Sequence, residues 1–172
     1  MESVSYNDKL FGVLSAYILA GGVFIFDQVT KIIVEVLMHR NQTVAVVESL
    51  ELLNLTFIKN PGAAWGILPG FQYLFIGVAL LVAAGCIWFI QNFHWHSIRF
   101  PVALLLGGGL GNMIDRIFIE AGVVDFINVG IYDYRWPVFN VADFALTVGV
   151  VWLSFLLLTG RVKLDKIGLE RF

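Results

Sequence analysis

The chain has 172 residues, enough for one domain of ordinary size. Hydrophobic residues make up 59% of it and charged residues only 14%, whereas soluble domains carry about 25% charged residues; the chain cannot cover itself in charge, and its natural solvent is lipid. A formal net charge of −2 with no basic stripe argues against a nucleic-acid partner.

About 20 apolar residues are needed to cross a bilayer, and four segments meet that length. The first runs roughly from Phe11 to Val36. It is too long for the apolar core of a secretory signal, has only Lys9 as a basic residue before it, and is followed by no small-x-small cleavage site, so it reads as a retained span. An outer loop over residues 37–70 follows. Within it, TVAVVESLELLNLTFIKN alternates and is rich in β-branched residues, which predicts short strands. The loop closes with NPGAAWG. Asn60-Pro61-Gly62 is a turn signal, the small Ala63 and Ala64 permit close approach of a backbone, and Trp65 suits either an interfacial anchor or a cover over a substrate.

The second span, roughly Phe71 to Ile90, contains the lone cysteine, Cys86, which reads as a small buried hydrophobe. His94 and His96 then fall in a cytoplasmic loop. The third span, roughly Ile98 to Ile119, contains Gly107, Gly108, Gly109 and Gly111. Their spacing suits close helix packing; the alternative reading is that the thinned helix makes room for a peptide. A second outer loop, residues 120–140, holds VVDFINVGIYDYRW, again strand-like, with Asp133 as a solvated residue. The fourth span runs roughly from Val141 to Thr159. The expected fold is therefore a single membrane α-helical domain over residues 1–172, with four transmembrane helices and a small extracytoplasmic β-sheet at the outer membrane surface. Lys9, Arg99, Arg161, Lys163, Lys166 and Arg171 fall on the side of the termini, against Arg40, Lys59 and Arg135 on the other. The positive-inside rule then puts both termini in the cytoplasm.

With that orientation the polar residues can be placed by depth. A helix rises ~1.5 Å per residue, so Asp27 lies ~24 Å up the first span, near the outer edge of the hydrocarbon. Lys31 is one turn further on the same face and can pair with it. Asn112, Asp115 and Arg116 occupy the last turns of the third span. Asn140 and Asp143 open the fourth, in the positions of a helix N-cap and of a carboxylate favoured by the helix dipole. Asp125 stands in the loop just above. Each has a plain structural reading, as an ion pair, a helix anchor or a cap. Their convergence on one level does not, because ionisable groups at membrane depth face a bundle interior or a wet cavity.

Two aspartates in one such cavity have an obvious chemistry. Close like charges cannot both ionise cheaply, so the pair shares a proton; the ionised member can take a proton from water while the other polarises a carbonyl, the logic of an aspartic protease. There is no His-Glu-x-x-His, no Gly-x-Ser-x-Gly, and no Gly-x-Gly-Asp of the presenilin-like proteases. The remaining alternative is a proton-coupled transporter, or a non-enzymatic membrane protein with structural carboxylates, although a transport path wants such groups near the midplane.

Five stretches together resemble one family. DQVTK at 27–31, NPGAAWG at 60–66, GGGLGNMIDR at 107–116, GVVDF at 122–126 and FNVADFAL at 139–146 occur in the order found in the lipoprotein signal peptidases, or signal peptidase II. The resemblance runs from the first span to the fourth. It implies an aspartic endopeptidase of the bacterial cytoplasmic membrane, acting near the outer face as a monomer without metal or cofactor. The implied substrate is a diacylglyceryl-modified prolipoprotein, cut just before the lipidated lipobox cysteine, with membrane lipid as the other partner. It makes Asp125 and Asp143 the catalytic dyad and Asp27, Lys31, Asn60, Asn112, Arg116 and Asn140 supporting residues. In a dry site Asn60, Asn112 and Asn140 would be placed to hydrogen-bond substrate backbone.

Overall fold

A computed structural model gives the fold and describes residues 6–47, 52–62, 69–92 and 96–161. Ala63, Ala64, Trp65 and His94, singled out above, lie outside the described residues.

Helix α1, Tyr6–Leu37, opens the chain. It is sorted into two faces. Ala16, Ala20, Asp27, Lys31 and Val34 are buried, while Phe11, Ile18, Ile25 and Ile32 stand exposed at seven-residue spacing. Exposed large apolar side chains at that density fit a lipid-facing surface, not a wet one. Two strands follow, β1, Thr43–Val47, and β2, Leu53–Asn60. Helix α2 spans Gln72–Asn92 and α3 spans His96–Phe118. Strands β3, Val123–Ile131, and β4, Tyr134–Arg135, precede α4, Val141–Leu158. All four helices are long and apolar enough to cross a membrane. The main boundary differences are at α1, which starts five residues before the expected Phe11, and at α3, which begins at His96. Pro101 is accommodated within the second turn of α3, where few backbone bonds are lost. Arg99, counted among the basic residues on the side of the termini, is only 1% exposed near the start of α3.

Helix α3 is the axis of the bundle. Its glycines let α1 and α4 approach backbone to backbone: a Cβ at Gly107 would stand 2.5 Å from the Ala20 carbonyl oxygen, and one at Gly108 would stand 2.6 Å from that of Ala142. This is the packing use of small residues in membranes. The helical core is lined by Ala16, Ala20, Ala83, Ala103 and Leu106, among others.

The strands form one antiparallel sheet in the order β1-β2-β3-β4, as the alternating loops predicted. The sheet packs on the C-terminal end of α1 through Val34, Phe57, Val124 and Phe126. A bulge between Leu55 and Ile58 shifts the β2–β3 register by one residue. Its effect is specific. Beyond the bulge Ile58 pairs with Asp125 and Asn60 with Val123, so Asn60 is a same-face diagonal neighbour of Asp125. Without the extra residue, Lys59 would take that place.

Gly122, at the turn into β3, has φ +99° and lies against the Asn60 carbonyl. An alanine there meets both a strained backbone and the carbonyl. Gly122→Ala should lower stability by about 1–3 kcal/mol and reduce activity through the displaced Asn60. Thermal unfolding and a cleavage assay on the same preparation check both.

Candidate active site

The start of α4 is built from a reciprocal cap. Asn140 is the N-cap; its Oδ1 accepts from the Asp143 amide at 2.9 Å, and Asp143 Oδ2 accepts from the Asn140 amide at 3.2 Å. This is the capping arrangement expected of the sequence, and it fixes the Asp143 carboxylate at the head of the helix. Asp143 Oδ1 accepts a second bond from Asn112 Nδ2 at 2.7 Å.

Asp125 comes from β3 and is 2% exposed. Asn140 Nδ2 donates to its Oδ1 at 2.7 Å and Asn60 Nδ2 to its Oδ2 at 3.1 Å. Asn60 is held in turn by the Gly62 amide, which donates to its Oδ1 at 3.0 Å. Burial pushes the Asp125 carboxyl up to about 7; the negative charge of Asp143 adds to the rise, and the bonds from Asn60 and Asn140 and the charge of Lys31 oppose it.

In this structure the amide nitrogens of the three asparagines expected to address substrate backbone are directed at the aspartates. Asn60 Nδ2 and Asn140 Nδ2 donate to Asp125, and Asn112 Nδ2 donates to Asp143. Asn140 Nδ2 also lies 3.1 Å from Asn112 Oδ1, so the two aspartates are joined through a pair of amides. Each of these amides meets a carboxylate borne by a different element, where buried carboxylate oxygens need donors.

Beneath the aspartates lies a buried ion cluster. Lys31 Nζ is 2.7 Å from Asp27 Oδ2 and 2.9 Å from Asp115 Oδ2, and donates to Asn112 Oδ1 at 3.2 Å. Asp27 accepts the Ala142 amide at 2.8 Å, and Asp115 accepts the Val124 amide at 3.1 Å. The cluster thus clamps the first turn of α4 to α1 and the strand of Asp125 to α3. Lys31 and Asp27 form the pair predicted from their spacing. Two members escaped the sequence reading. Asp115 was expected as an anchor at the helix end and proves to be the second anion on Lys31. Gln28 bridges the two anions, its Nε2 lying 3.2 Å from Asp27 Oδ2 and 3.1 Å from Asp115 Oδ1. Its only sequence signal is its place between Asp27 and Lys31.

Arg116 is on the other wall. Its guanidinium donates to the Asn112 carbonyl at 2.9 Å and the Gly62 carbonyl at 3.2 Å, and lies 5.2 Å from the Phe75 ring centre. Gln72 of α2 donates to the Arg116 carbonyl.

The two aspartates, Asn60, Asn112 and Arg116 face one cavity of about 490 Å³. Asp125, Asp143, Asn60, Asn112 and Arg116 supply its polar wall; Trp136, Val138, Phe139, Phe144 and Leu146 make the rest apolar. Two carboxyl groups therefore face a mostly apolar space. Asp133, as expected, is exposed and away from it.

Comparison with known proteins agrees with this reading over most of the chain. The profile of the family described as Signal peptidase (SPase) II matches residues 19–159. The lipoprotein signal peptidase of Anoxybacillus flavithermus is 43% identical over 141 residues, covering 81% of this chain and 82% of that one. The enzyme of the same name from Staphylococcus aureus is 38% identical over 152 residues, covering 87% and 91%. Two solved bacterial membrane enzyme structures superpose with TM-scores of 0.78 and 0.74, at 35% and 36% identity, covering 88% and 84% of this chain and 91% and 92% of theirs. A profile match from the first span to the fourth, relatives of this identity and a shared membrane architecture establish that the chain belongs to the signal peptidase II family of aspartic peptidases.

Proposed function

We propose that this protein removes the signal peptide from diacylglyceryl-modified prolipoproteins at the outer face of the bacterial cytoplasmic membrane, cutting just before the lipidated cysteine with Asp125 and Asp143 as its acid–base pair. Family membership sets aside the transporter alternative. The observation that supports the residue assignment is the shared cavity: among its lining residues Asp125 and Asp143 are the two carboxyl groups.

Up to a pH of about 7 Asp125 holds the proton that the pair shares. Asp143, at the head of α4 with two N–H donors on its oxygens, takes a proton from a water as the water oxygen attacks the scissile carbonyl carbon. Asp125 gives its proton to the carbonyl oxygen, producing a neutral gem-diol. Asp143 then passes its proton to the departing cysteine nitrogen as the C–N bond breaks, and Asp125 recovers a proton from a gem-diol hydroxyl. Water is consumed, two peptides leave, and the pair returns to its starting state. The lipid on the cysteine ties the scissile bond to the outer leaflet, the level at which the pair sits at the ends of α3 and α4.

The direct test is cleavage of a diacylglyceryl prolipoprotein by the purified protein, with product masses read by mass spectrometry. A cut before the modified cysteine, and none when serine replaces that cysteine, is the expected result. Cleavage elsewhere, or indifference to the lipid, would overturn the substrate assignment.

The pH dependence follows from Asp125. Its folded carboxyl holds a proton up to about 7, whereas an unfolded aspartate releases it near ~3.9. The folded state therefore binds more protons between those values. The group's contribution to stability is complete below the unfolded value and is lost as pH rises through about 7. Activity should fall over the same upper limit, about tenfold per pH unit well above it, as measured by initial rates across pH 5–9.

A further inference from the structure

The segment between β4 and α4 forms an apolar wall of the catalytic cavity, which Trp136, Pro137, Val138 and Phe139 all line. Strand β4 is two residues long and pairs with β3 through Gly130–Arg135 and Ile131–Tyr134. Beyond it the Trp136 amide donates to the Val129 carbonyl at 2.9 Å, and Phe139 exchanges backbone bonds with Ile127. Between those two anchors β3 has one residue, Asn128, where the wall has two, Pro137 and Val138. The strands fall out of step there, and proline has no N–H to give.

Arg135 works from behind this wall. Successive residues of a strand point to opposite faces. Val129 and Trp136 line the cavity, so Asn128 and Arg135 lie on the reverse face. There Arg135 Nε donates to Asn128 Oδ1, Nη2 to the Asn128 carbonyl at 2.9 Å, and Nη1 to the Tyr132 carbonyl at 3.4 Å. Asn128 is buried; its Nδ2 donates to Thr56 Oγ1 at 2.8 Å, and that hydroxyl lies 3.0 Å from the hydroxyl of Thr43. One row of side chains thus runs across all four strands. Gly130, directly opposite Arg135, makes room for it: a Cβ there would stand 2.7 Å from Arg135 Cα and 3.0 Å from its Cγ.

We propose that Arg135 is a positioning residue for the substrate: acting through Trp136, Pro137 and Val138, it holds this wall of the cavity in place from the reverse face of the sheet. The assignment rests on the prolipoprotein reading above for the identity of what the wall meets. A guanidinium suits the task because its planar fork binds a side-chain and a backbone oxygen of one residue in a fixed geometry, where an ammonium is a single point charge. The far end of the wall, at Phe139 and Asn140, has its own backbone and capping bonds. Releasing Arg135 therefore loosens the apolar side of the cavity and spares the aspartates.

Initial rates on a diacylglyceryl prolipoprotein test this. Arg135→Met should raise KM about tenfold while kcat and the upper pH limit of activity stay at their wild-type values. Arg135→Lys keeps the charge but not the fork and should raise KM as well; a wild-type KM with lysine would show that charge alone matters and overturn the clamp. Gly130→Ala leaves the arginine in the chain but obstructs its stem. It should also raise KM, and the double variant with Arg135→Met should be no worse than either single one. An unchanged KM, losses that multiply in the double variant, or a fall in kcat with a moved pH limit overturns the assignment. Fluorine NMR of fluorotryptophan-labelled protein, with the Trp136 resonance assigned through Trp136→Phe, reads the wall without substrate. Arg135→Met should shift or broaden that resonance, and an unaltered one overturns the clamp. If the wild-type protein does not cut the prolipoprotein but the resonance responds, the prolipoprotein reading fails and the clamp on the wall stands.

Discussion

Asp125→Asn and Asp143→Asn will each leave a folded protein whose cleavage of a diacylglyceryl prolipoprotein is slower by about a thousandfold or more. Each change keeps the volume of the side chain and removes one member of the acid–base pair. The competing account of Asp143 is purely architectural, because its carboxylate closes the capping box with Asn140. A cap alone is worth about 0.5–2 kcal/mol, and its loss would shift the melting temperature while leaving cleavage by the folded fraction intact. The two accounts therefore separate on one preparation, by a gel-shift cleavage assay beside thermal unfolding in detergent. Asp125 makes the contrast sharper, since it caps nothing. In Asp125→Asn the new amide nitrogen must face either Asn60 or Asn140, both of which now donate, so a small loss of stability is expected along with the loss of activity. Normal cutting by either variant would return that aspartate to a structural role.

Lys31→Met should be the most damaging single change to stability, at about 3–5 kcal/mol. Lys31 is 2% exposed and lies between two buried carboxylates, Asp27 and Asp115. Methionine matches its stem and removes its charge, leaving two anions in a dry interior with only amide donors. Adding Asp115→Asn should restore part of the loss, because one of the two uncompensated charges is then gone and the sites are in contact. Lys59→Met provides the control. Its pair with Glu35 is short, at 2.8 Å, but the side chains are 22% and 32% exposed, and an ion pair open to water contributes about 0–1 kcal/mol. Equal shifts for the two lysines would show that the cluster is not the clamp it looks to be.

The four spans were legible because length and apolar composition alone mark a membrane helix, and the strands because β-branched alternation marks a sheet. The capping box at Asn140 and Asp143 and the Asp27–Lys31 pair were legible for the same reason: both depend on spacing within one element. What joins elements was not. The Asp27 carboxylate reaches the Ala142 amide, and Gln28 reaches Asp115, across gaps of 115 and 87 residues. Nothing local to either residue announces such a contact. The β2 bulge was hidden as well, since a single extra residue leaves the alternation of a short strand almost unchanged, yet it decides that Asn60 and not Lys59 stands beside Asp125. Arg99 is a further case: its place at the start of a span is local, but the packing at the foot of α3 that buries it is not.

The capping box also has a meaning for biogenesis. Asp125 is borne by β3, but Asp143, Asn140 and the amide that receives Asp27 all arrive with α4, the last of the four spans. Until that span has entered the bilayer and its first turn has closed on Asn140, the chain holds Asp125 without Asp143, and on the proposed mechanism it has no means to cut. On that mechanism the bonds that finish the fold are the ones that align the reacting groups, so a nascent or half-inserted molecule would be inert without any inhibitory segment, and proteolytic competence would report completed membrane assembly.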